Sequence, residues 1–155
     1  MRASLGKFRR PLLLTAVGAI VLAGISFAAI ARGPHFELVV ANPSISIDTN
    51  NLRPGDARFF AYRDAAGNQL RFLLARDSTG RVQAACDACR RCYVYHRGYA
   101  AAGGDLICRF CGNHYRLAAM SSGLASCAPV MLPLEMSGRT AKIKPADLER
   151  ERSLF

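Results

Sequence analysis

Five of the chain's six cysteines fall in one stretch: Cys86-x2-Cys89-x2-Cys92, then fifteen residues, then Cys108-x2-Cys111, with Cys127 beyond. Two cysteines separated by two residues can turn both sulfurs toward one point, with backbone N–H groups aimed at the thiolates. Two such knuckles supply four ligands in a tetrahedron, and the interval between Cys92 and Cys108 matches that of tetrathiolate metal sites. Gly112 directly follows Cys111 and suits the turn that closes a knuckle. Cys89, Cys92, Cys108 and Cys111 are the primary candidate ligands, with Cys127 and Cys86 as auxiliary ones.

Spacing does not choose the metal, because zinc and iron–sulfur centres both accept four thiolates. The two-knuckle symmetry favours zinc. The surplus of cysteines favours iron–sulfur, since the stepped run Cys86, Cys89, Cys92 has a ferredoxin-like rhythm and Cys127 lies two residues before Pro129. A disulfide framework is the alternative in an oxidising compartment, and one metal site with Cys86 bridged to Cys127 is another arrangement. Tyr93 and Gly112 stand where a haem-attachment motif needs histidine. No βαβ pattern surrounds the motifs, as a thioredoxin-like site would need. His114 and His96 are minor ligand candidates. Tyr93, Tyr95, Tyr99 and Tyr115 are expected to pack around the site and exclude water.

The elements that must position these thiols are short strands. Arg58–Tyr62, Leu70–Ala75 and Arg81–Ala85 are apolar-rich runs separated by "RDAAGN" and "RDSTG", whose Asp, Asn and Gly suit tight turns. An antiparallel meander follows, its third strand feeding Cys86. Gly103-Gly104 predicts a turn and Asp105–Ile107 a strand entering Cys108. Upstream, "FELVV" and "SISI" read as short strands in a stalk. Downstream, the chain reads as irregular until a strand near Thr140–Lys144, and "PADLERERSLF" as a charged helix with Pro145 near its start.

Pro11–Ala31 holds no charged residue over about 21 positions, enough to span a bilayer core. Arg2, Lys7, Arg9 and Arg10 precede it and only Arg32 follows closely, which by the positive-inside rule keeps the N-terminus cytoplasmic and exports the rest. Ala29-Ile30-Ala31 resembles a signal-peptidase site, but the apolar run is longer than a signal peptide's, so an uncleaved anchor is expected. The net charge of +10 comes from 21 basic and 11 acidic residues, and only Lys7, Lys142 and Lys144 are lysines. The arginines are scattered over a solvated surface, and no nucleic-acid recognition motif is present. The organisation expected is a basic tip and anchor (1–33), a stalk (34–56), a cysteine-rich metal-binding domain (57–145) and a charged tail (146–155). The fold class expected is α+β, mostly β: one transmembrane helix, then a small exported domain built around a multi-cysteine metal site.

The residues Asp87, Cys89, Cys92, Tyr93, then Gly98-Tyr99, Gly104, Cys108-x2-Cys111-Gly112, and later Cys127-x-Pro129 with Leu132-Pro133, resemble the FtrD-like membrane iron–sulfur domain family over about Arg58 to Ile143. Two positions depart from the family's pattern: Ala125-Ser126-Cys127-Ala128-Pro129 replaces a Gly-Gly-Cys-Asn-Pro sequence, and Cys86 is an addition. The resemblance implies a membrane-bound iron–sulfur protein associated with iron transport and handling electrons.

No acid–base pair or Ser/His/Asp set is apparent, so a redox carrier is expected before an enzyme. The cofactor expected is an iron–sulfur cluster, with zinc as the alternative. The partners expected are the membrane and a transport or electron-transfer complex at the bacterial inner membrane, with the main domain periplasmic. The competing functions are a zinc-ribbon-like module of a transporter complex and a thiol metallochaperone.

Overall fold

The computed structural model describes residues 33–122 and 127–155. The anchor expected over Pro11–Ala31 lies outside them. Among the described residues no helix is long and apolar enough to cross a membrane. The architecture is mostly β, with eleven strands, short 3-10 segments and one α-helix (Pro145–Arg150) among the described residues.

The meander forms as the turn residues require. β3 (Ala57–Arg63), β4 (Gln69–Arg76) and β5 (Val82–Cys89) pair antiparallel, with Phe60 opposite Phe72 and Phe72 opposite Cys86. The two hairpin turns share one device. Asp64 and Asp77 each accept a backbone N–H four residues on, from Asn68 at 2.8 Å and Arg81 at 3.0 Å. Gly67 and Gly80 turn at φ +87° and +91°, a region L side chains disfavour.

Segment 34–56 does more than link. β1 (Phe36–Val39) joins the sheet parallel to β3. β2 (Ile45–Asp48) sits in a separate sheet with β11 (Thr140–Ile143) and β10 (Glu135–Ser137), and Ile45, Ile47 and Leu52 are buried core. The Arg76 guanidinium clips this segment down by donating to the Leu52 carbonyl at 2.7 Å and the Thr49 carbonyl at 3.1 Å. The C-terminal residues dock as well: Leu148 and Leu154 are buried, and Arg152 pairs with Asp64 at 3.0 Å.

The stretch after Cys111 is more ordered than its composition suggests. It holds β8 (His114–Arg116) and β9 (Pro129–Leu132), and β9 closes the main sheet in the order β1-β3-β4-β5-β9. β6 (Tyr99–Ala102), β7 (Asp105–Cys108) and β8 form a third sheet, with Gly103 and Gly104 both at positive φ in the β6–β7 turn, as a tight hairpin demands.

The five-stranded sheet is buried on both faces. Leu70, Phe72, Leu74, Ala84, Cys86 and Ala88 face the β2–β11 sheet and the C-terminal residues. Phe59, Leu73, Ala75, Ala85 and Cys89 face the β6–β7–β8 sheet. Strand side chains alternate between faces, so β5 sends Cys86 to one core and Cys89 to the other.

Candidate metal centre

Three strand ends bring the sulfurs together. β5 delivers Cys89, and its carbonyl accepts the N–H of Cys92 at 3.1 Å, forming the first knuckle. The chain then makes a 3-10 turn over Tyr93–Tyr95 and reverses at His96, the only non-glycine with positive φ among the described residues. β7 delivers Cys108, whose carbonyl accepts the N–H of Gly112 at 2.9 Å, with Gly112 at φ +73°. β9 pairs with β5 so that Pro129 lies opposite Cys89, which carries Cys127 to the same place. Register Tyr99 opposite Cys108 and the bond from Arg109 N–H to the Gly98 carbonyl (3.0 Å) fasten the second knuckle beside the first.

Five sulfurs result in one group. Those of Cys89, Cys92 and Cys127 lie within 4.8 Å of one another, as do those of Cys92, Cys108 and Cys111. Cys127 Sγ is 3.4 Å from Cys89 Sγ and 3.6 Å from Cys111 Sγ. All six cysteines are free thiols, and all but Cys111 are buried. Cys86 is not brought to the group. It is fully buried in the opposite core, beside Phe72, and burial pushes its thiol up to about 12. Neither histidine joins the close sulfur groups: His114 Nδ1 meets Asp105 Oδ2 at 3.1 Å on the surface, and His96 lines a small cavity with Cys89, Cys92 and Cys108.

The electrostatics suit a cation. Burial, then the neighbouring thiols, hold Cys92 well above its ordinary value, and burial likewise raises Cys111. Cys127 is pulled down to about 7, chiefly by its contact with Tyr115, whose hydroxyl donates to the Cys127 carbonyl. Crowded thiols resist ionising together, and a bound metal removes that cost by neutralising thiolates. The Tyr99 hydroxyl gives a second sign of fit. It is buried beside Cys89, with no formed hydrogen bond among the described residues, and would find an acceptor in a thiolate or a bridging sulfide.

Asp87 holds the two knuckles together. Its carboxylate accepts the Tyr99 N–H at 2.7 Å, and burial raises it to about 7 against the pull of that N–H, Arg71 and Arg109. Gly98, at φ +61°, seats directly on that carboxylate, where any Cβ would collide with both oxygens. Around this core Tyr99 and Tyr115 pack edge to face at 6.0 Å. Tyr95 and Phe110, one from each knuckle, stack at 3.5 Å and 9°. Phe110 escaped the sequence reading. Its place inside the second C-x2-C, across from a tyrosine following the first, was the available signal.

A mostly β domain that converges five thiols at one point is a metal-binding protein of the multi-cysteine class. The chain belongs to the family of FtrD-like membrane iron–sulfur proteins, whose model, "Membrane iron-sulfur containing protein FtrD-like", matches residues 52–155. No curated protein matches the chain. Among solved structures, the quaternary ammonium Rieske monooxygenase CntA in complex with an inhibitor is similar at 18% identity and a TM-score of 0.47, over 73% of this chain and 37% of that one. Its apo form gives 18% identity and 0.46, over 74% and 40%. Its complex with L-carnitine gives 16% and 0.46, over 73% and 38%. This chain thus spans less than half of those monooxygenase chains, and likeness at that level assigns no chemistry.

Proposed function

We propose that the protein is a membrane-anchored iron–sulfur electron carrier serving the uptake of iron or another metal. The observation that carries this reading is the convergence of Cys89, Cys92, Cys108, Cys111 and Cys127 from three strand ends. Cys89, Cys92, Cys108 and Cys111 are assigned as the primary ligands and Cys127 as a fifth donor. An iron–sulfur cluster held there supplies reversible one-electron storage. The chain's own residues do the rest. Tyr99 and Tyr115 offer hydroxyl donors, Asp87 fixes the knuckles, and the buried walls shield Cys89 and Cys108 while Cys111 faces solvent. Membership in a membrane iron–sulfur family supports both cofactor and location. The basic tip before Pro11 supports an N-terminus in the cytoplasm and a periplasmic domain at the bacterial inner membrane.

One observation favours a second reading. Sulfur separations of 3.4 and 3.6 Å are close to the edge of a single-metal tetrahedron, about 3.8 Å for 2.3 Å metal–sulfur bonds. The domain would then be a zinc clasp that docks on a transporter complex. Anaerobic purification of the full chain in detergent, with metal analysis and a visible spectrum on one sample, separates the two. Iron with matching sulfide and a thiolate-to-iron band supports the carrier. One zinc and a featureless visible spectrum overturns it.

A further inference from the structure

The outer surface of the cysteine site has a chemistry that metal binding alone does not require. Val94, Tyr95 and Phe110 are 56%, 52% and 47% exposed, and all three sit on the two knuckles. Half of the large exposed hydrophobics among the described residues are gathered there, and the Tyr95–Phe110 stack makes them one rigid apolar ridge. Beside it opens a cleft of about 450 Å³ lined by Arg91, Val94, Tyr95 and Phe110 together with Cys111 and Cys127. Three of the gathered cysteines therefore line it, Cys92 as well as Cys111 and Cys127.

The exposed charge of the first knuckle and its following turn is basic. Arg90, Arg91 and Arg97 are exposed on the first knuckle and the turn after it. Of the neighbouring acids, Asp87 is buried under Tyr99 and the partly exposed Asp105 pairs with His114. An apolar ridge with Arg91 in the cleft and Arg90 and Arg97 exposed nearby in the chain complements a protein surface of apolar centre and acidic rim.

We propose that this face is the docking surface for an acidic electron-carrier protein, seated on the Tyr95–Phe110 ridge with its carboxylates on Arg90, Arg91 and Arg97. The inference rests on the electron-carrier reading above and names the partner of that same site. The concavity favours a protein over a lipid surface, since a protruding side chain can enter the cleft and reach Cys111. The patch is small, so the complex is transient and electrostatically steered, as exchange between carriers requires.

The test uses the full chain in detergent with flavodoxin, an acidic carrier, as the probe. A basic c-type cytochrome and anionic lipid vesicles serve as comparisons. Binding is read by interferometry, and iron and sulfide are counted on the same samples. Flavodoxin binds, and its affinity falls about tenfold or more between about 50 and 300 mM salt. The triple variant R90E/R91E/R97E lowers affinity at least about tenfold, and Y95A/F110A does so with less change in salt dependence. R90E/R91E/R97E keeps its iron and sulfide, and the affinity of Y95A/F110A is taken per iron bound. Absence of flavodoxin binding at low salt, equal binding of the cytochrome, or variants that lose only vesicle binding each overturn the proposal. A chain without iron that still binds flavodoxin through these arginines sinks the carrier reading and leaves the docking surface standing.

Discussion

The two faces of the central sheet are built on opposite principles. On one, Phe60 and Phe72 stack at 5.4 Å among Ile45, Leu70, Leu74 and Ile143, with Tyr62 and Tyr93 packed at the edge. That face is self-sufficient. On the other, apolar packing is thinner and interleaved with sulfur: Cys89, Cys92, Cys108 and Cys127 stand among Tyr99, Leu106, Tyr115 and Met120. There the small β6–β7–β8 sheet packs through Tyr99, Leu106 and Tyr115 among the gathered thiols. The same strand, β5, serves both. Cys86 and Cys89 differ by three positions, an odd number, and that places one in the apolar core and the other among the gathered sulfurs.

The comparison breaks most visibly at the ligands. Cys92→Ala or Cys108→Ala is expected to abolish metal retention. Hydrogen exchange should then rise through β6, β7 and β8 while β2 and β11 stay protected. Equal loss of protection on both faces would contradict the separation. Next in size is Phe72→Ala on the apolar face, which removes a fully buried ring. It should cost about 3–5 kcal/mol in denaturant unfolding and leave the metal's spectrum unchanged. Gly98→Ala forces a side chain onto the Asp87 carboxylate at positive φ. Strain of about 1–3 kcal/mol is expected, with a broadened metal-centre spectrum, because the link between the knuckles is disturbed. The smallest change is Tyr99→Phe. It removes one hydroxyl beside Cys89 and should shift the reduction potential with little effect on the unfolding midpoint. An unchanged potential would deny Tyr99 a role at the site.

Much of the fold could be read from residue order alone. The meander was legible because Asp64-x-x-Gly67 and Asp77-x-x-Gly80 are turn chemistry that acts within five residues. Strands over Phe36–Val39, Ile45–Asp48 and Thr140–Ile143 and the helix at Pro145 also lay where their composition puts them. What could not be read was pairing over long distance. Nothing local tells β1 to run parallel to β3, β2 to pair with β11, or β9 to seal the edge beside β5. Residues 112–139 read as irregular because their strands are three or four residues long, too short for an alternation to register.

The site was legible in its two C-x2-C pairs, since a knuckle is a local device. Cys86 shares that x2 spacing, but β5 continues as strand through Cys89 and sends Cys86 to the other face. The contribution of Cys127 depends on the β5–β9 pairing, which no spacing encodes. Asp87, Gly98 and Tyr99 stood in the family pattern, yet the bond that joins them appears only in three dimensions.

The central claim is that five sulfurs on one face hold the metal and the sixth, on the other face, does not. Iron and acid-labile sulfide counted side by side in the full chain, in Cys86→Ala and in Cys92→Ala test it most directly. The account predicts equal iron and sulfide in the first two and loss of both in Cys92→Ala. Loss in Cys86→Ala with retention in Cys92→Ala would contradict it.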